Sequence, residues 1–102
     1  MNLKIKEYNL LLTILNNNQL SENKLFADSA KKLSEKLLKY SIPITDNETK
    51  EEYITVGFYA EEAKNMMIQF LNFYDNEMID QDYYKLLLEM RYKYLESKNA
   101  SL

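Results

Sequence analysis

Apolar residues recur at spacings of three and four over most of this chain, and polar intervals separate the runs. Ile5, Tyr8, Leu12 and Leu15, with Leu11 beside them, predict a first helix over residues 3–16. Asn16, Asn17 and Asn18 form a polar break suited to its end, because Asn tolerates left-handed backbone. A second stripe, Phe26, Ala30, Leu33, Leu37 and Tyr40, predicts a helix that Ser21 caps and Pro43 ends. Lys24, Lys31, Lys32, Lys36 and Lys39 cover the rest of that helix.

The stretch 45–59 supports two readings. In the preferred one, Thr45 and Glu48 form a capping box and a single helix runs from about residue 47 to Tyr74. Its stripe is Val56, Tyr59, Ala63, Met66, Phe70 and Phe73, with a kink at Gly57. In the other, residues 42–44 and 54–58 pair as a short hairpin, since Tyr53 to Tyr59 is rich in strand-favouring residues. The hairpin has no Ser, Thr, Asp or Asn just before Ala60 to cap the helix that must follow.

Residues 75–82 read as a connector, with Asp80 or Asp82 capping a last helix. Tyr83, Leu87, Met90 and Tyr94 form one stripe of that helix, and Tyr84, Leu88 and Leu95 a second, so it would be contacted on two sides. Residues 97–102 read as a frayed tail. The expected architecture is therefore all-α: one compact domain over residues 1–102 resembling a four-helix bundle. The alternative is α+β, with the hairpin between two helix pairs.

Composition supports few turns. The 102 residues include one Gly and one Pro. No cysteine and no histidine are present, so the commonest thiol and imidazole chemistry for nucleophile, general base and metal ligand is missing. The acidic connector fails as a calcium loop, because a loop starting at Asp75 would place Ile79, Asp80 and Leu86 at ligand or glycine positions. A lone Gly57 makes no phosphate-binding loop. The expectation is a non-enzymatic protein with no cofactor and no metal. Without a signal peptide or a membrane-length apolar run, the cytoplasm is the expected location. Lysine outnumbers arginine twelve to one, and the Asn, Ile and Tyr content suggests a low-GC bacterial, phage or plasmid source.

Charge is uneven. Residues 1–45 carry seven basic and four acidic groups, a net of +3, whereas residues 46–102 carry six basic and twelve acidic, a net of −6. Seven of the nine tyrosines follow residue 52. One account is that the two halves attract each other. The other is that an acidic, Tyr-rich surface meets a basic partner protein, since Tyr suits interfaces and opposite fields speed encounter. Glu61, Glu62, Asp80, Asp82, Tyr83 and Tyr84 are the candidate contact residues. The leading expectation is an inhibitor or neutraliser of another protein, of the phage anti-defence or toxin-immunity kind. The alternative is a structural helical subunit or homodimerising component, associating through the two-striped last helix. Direct nucleic-acid binding through the lysines of the second helix is less favoured, because no aromatic residue is interleaved with them.

Overall fold

The computed structural model describes residues 1–76, 85 and 88–92. In chain order the elements are β1 (Asn2–Lys4), α1 (Ile5–Asn18), α2 (Lys24–Tyr40), β2 (Ile42–Thr45), β3 (Glu52–Thr55) and α3 (Ala60–Asn76). The described residues beyond α3 are helical. The expected all-α bundle is corrected by a three-stranded antiparallel sheet in the order β1-β3-β2. No helix runs continuously from residue 47 to 74.

Local chemistry accounts for that correction. Asp46 Oδ1 accepts from the amides of Glu48 at 2.8 Å and Thr49 at 3.0 Å, which folds residues 46–51 into a turn instead of a capping box. The Thr49 amide first, and the Glu48 amide second, hold the Asp46 carboxyl below its ordinary range. Lys50 completes the reversal in left-handed backbone, at φ 62°. Tyr53, Ile54 and Thr55 then enter the central strand, where β-branched and aromatic side chains pack well. β1 takes Leu3 and Lys4, expected at the start of the first helix, together with Asn2. It pairs Asn2 with Thr55, Leu3 with Ile54 and Lys4 with Tyr53.

Two hydrogen bonds fix the phase of the ladder. The Val56 amide donates to Met1 O at 3.0 Å, so even-numbered residues of β3 turn their backbone toward β1. The Asp46 amide donates to Glu51 O at 2.9 Å, so odd-numbered residues turn theirs toward β2. Pro43 opposes Ile54, and its nitrogen therefore faces outward from the free edge of β2. That is where a missing N–H leaves the ladder intact and blunts the edge against another strand.

Helices α1 and α3 both start without an N-cap side chain of the usual kind. The Lys4 amide donates to Glu7 Oε1 at 2.8 Å, and the Tyr59 amide to Glu62 Oε1 at 2.8 Å. In each case a Glu at the third helical position reaches back to the free amide. The cap that the hairpin reading lacked is thus supplied from inside the helix. Helix α2 begins three residues after Ser21, with Asn23 Oδ1 accepting from the Phe26 amide at 3.2 Å.

The core draws Leu10, Leu11, Ile14 and Leu15 from α1, Ala30, Leu33 and Leu37 from α2, Ala63, Met66 and Phe70 from α3, with Leu3, Val56 and Met90. Helix α1 touches α2, α3 and the sheet. Its buried face runs through Leu10/Leu11 and Ile14/Leu15, while Ile5 lies exposed, so the true stripe is rotated from the expected one. Tyr40 and Tyr59 also leave their expected core stripes for solvent. Asn18, expected in a polar break, is buried and tied to α3. Its Nδ2 donates to Gln69 Oε1 at 2.9 Å and Gln69 O at 3.1 Å, and Gln69 Nε2 reaches Phe26 O of α2 at 3.4 Å.

Candidate functional site

A groove of about 830 Å³ runs between α2 and the segment joining β3 to α3. Lys32, Lys36 and Lys39 supply one wall, because positions four and three apart share a helix face. Gly57, Phe58 and Tyr59 supply the other, and Tyr40, Glu35 and Glu62 also line the groove. The groove exists because β3 ends at Thr55 and Val56 plugs into the core, which throws residues 57–59 over the lysine face of α2.

Lys36 organises this site. Its Nζ donates to Glu62 Oε1 and lies over the rings of Tyr59 at 4.8 Å and Phe58 at 5.6 Å. Lys39 Nζ lies 5.4 Å from the Tyr40 ring centre. Burial tends to raise the Glu62 carboxyl, but the Lys36 ammonium and the Tyr59 amide outweigh it and hold the group below its ordinary value. Among the described residues, Lys32 and Lys39 carry no ion pair. Tyr59 is 78% exposed, so one ring face is open to a ligand.

Lysines and aromatic rings are therefore interleaved in space although they are separate in sequence. The lysine face of α2 was legible from its spacing. The rings opposite it were not, because the spacing favours residues 57–59 as the interior of a helix.

Of the six candidate contact residues, Asp80, Asp82, Tyr83 and Tyr84 lie outside the described residues. Glu61 is exposed on the first turn of α3. Glu62 is engaged by Lys36 and the Tyr59 amide, and forms part of the groove wall.

A second surface is the outer face of the sheet. The register puts Asn2, Thr55 and Ile42 in one row of that face and Lys4, Tyr53 and Ile44 in the next. The opposite face carries buried Leu3 and half-buried Ile54 toward the helices. Ile42 is 60% exposed and Ile44 38%, so the outer face is apolar at its β2 side. Among the described residues, no group of His, Cys, Asp or Glu is placed to hold a metal ion, and no helix is long and apolar enough to cross a membrane.

Comparisons with protein-family models, with curated proteins and with solved structures found no match to this chain.

Proposed function

We propose that this chain is a non-enzymatic structural subunit that associates with a second copy of itself within a larger assembly. The observation that carries this reading is the open sheet face, where Ile42 and Ile44 stand exposed beside Tyr53. A single-layer sheet with apolar residues on its uncovered side gains free energy when that side is covered. Pro43 blunts the β2 edge, so association across the face is favoured over strand addition. Charge complements the arrangement. Lys4 sits at the β1 side of the face, and the β2–β3 turn carries Asp46, Glu48 and Glu51 against one basic residue, Lys50. A two-fold partner sets the basic side of one copy against the acidic turn of the other.

The lack of thiol and imidazole in the sequence supports a role exercised through binding. The inhibitor reading relies on an acidic, Tyr-rich surface. Of its described residues, Glu62 is committed to an internal ion pair that joins the basic and acidic halves of the chain, which supports the self-attraction account of the charge asymmetry.

Light scattering on eluting protein across the micromolar range tests the proposal. The wild-type chain is expected to show the mass of a dimer, and Ile42→Lys with Ile44→Lys that of a monomer with an unchanged circular dichroism spectrum. A wild-type monomer throughout that range, or a dimer indifferent to both lysines, overturns it.

A further inference from the structure

We propose that the α2 groove binds a nucleoside phosphate unit, its base against Tyr59 and its phosphate between Lys32 and Lys39. This inference goes beyond the self-association reading and does not depend on it.

The first argument concerns Gly57, the one glycine in the chain. Its φ is not positive, and a Cβ built on it would meet nothing within 4 Å. The backbone therefore has no conformational or steric need for glycine at this position. Yet the residue lines the groove, beside Phe58 and Tyr59. A side chain there would point into open space that a ligand could use, and a bare backbone keeps that space clear.

The second argument is the chemistry of the walls. Tyr59 and Tyr40 expose ring surface, at 78% and 59%, and flat rings bind bases by stacking without regard to base identity. Lys36 lies over Phe58 and Tyr59 while Glu62 answers its charge, which fixes the platform and leaves Lys36 less available to a ligand anion. Lys32 and Lys39 flank it along the same helix, without ion pairs among the described residues.

The third argument is charge and size. Among the described residues, three lysines and two glutamates line the groove, a net of +1. That balance suits a single phosphate group and opposes a dense polyanion. Glu35, which lines the groove, supplies an acceptor for a sugar hydroxyl or an exocyclic amine. A volume of about 830 Å³ falls in the range of small-ligand pockets. The same unit could be a free nucleotide or one residue of a single strand, and the phosphate and ring requirements are shared.

The test uses the full chain, adenosine 5′-monophosphate, and a fluorescein-labelled single-stranded DNA of about ten nucleotides. Amide chemical shifts report the nucleotide, and anisotropy reports the strand. Shifts centred on residues 32–40 and 57–59 are expected, with strand affinity falling with salt at a log–log slope of about −1 to −2. Nucleotide binding alone identifies the free ligand as the source, strand binding alone identifies the polymer, and both results support the site. Gly57→Phe places a ring in the groove from a position where a Cβ meets nothing within 4 Å, and is expected to weaken binding at least tenfold with an unchanged melting curve. Should it fail to fold, Tyr59→Leu at its exposed position serves, with the same expected loss. Absence of binding by both probes up to about millimolar concentration overturns the proposal. So does retained binding in a folded Gly57→Phe or Tyr59→Leu variant, or equal competition by a poly-glutamate peptide.

Discussion

Lys36 and Glu62, 26 residues apart, join α2 to α3 through one carboxylate oxygen that also accepts the amide of Tyr59. That oxygen does two jobs at once. It pairs a lysine that sits over two aromatic rings, and it caps the first turn of α3. Fixing the start of α3 fixes the direction in which residues 57–59 cross the lysine face, and so the shape of the groove.

Removing that carboxylate is expected to cost about 1 kcal/mol, since a lost cap and a partly exposed pair are each modest. Glu62→Ala compared with wild type by urea denaturation at neutral pH measures this. The carboxyl is held below its ordinary value of 4.5 in the folded chain, so its contribution is fully present above that pH and is lost as pH falls through the lowered folded value. The difference between the two proteins is therefore expected to shrink in acid. A difference that stays constant into acid would rule out the ion pair as its source.

The Asn18–Gln69 contact makes a second prediction. Both side chains are buried, and Asn18 donates to two acceptors on one residue of α3. Asn18→Ala leaves Gln69 Oε1 without this donor in a site closed to water, which is expected to cost about 2 kcal/mol. Replacing Asn18 and Gln69 together by leucine is expected to cost less than the sum of the single changes. Additive costs in a double-mutant cycle would show that the two side chains act independently.

Pro43 makes a third. Its nitrogen faces outward from β2, so Pro43→Val breaks no bond within the sheet and restores a donor to the free edge. The variant is expected to match the wild type in unfolding free energy within about 0.5 kcal/mol and to aggregate faster by light scattering. Equal aggregation rates at matched concentration would remove the edge-protection role.

The sequence alone determined much of the helical frame. Leu33 and Leu37 on α2, and Met66 and Phe70 on α3, fall where the 3.6-residue period puts them, because one helix face must leave water. Pro43 ended the second helix as expected, and the missing thiol and imidazole bounded the chemistry from composition. The sheet was only half legible. Residues 42–44 and 53–55 have strand-favouring side chains, but the spacing of Val56, Tyr59, Ala63 and Met66 fits a helix equally well. What decided between them is non-local. β1 lies about fifty residues before its partner strand, and no pattern within a window reports that Leu3 will close onto Ile54. No cap is legible before Ala60 for a related reason, since the capping oxygen belongs to Glu62, inside the helix, where the residue also serves Lys36. The groove follows the same logic. A lysine face can be read from one helix, whereas its aromatic wall exists only once the hairpin has turned residues 57–59 across it, because side-chain proximity between segments depends on how the chain packs and not on their order along it.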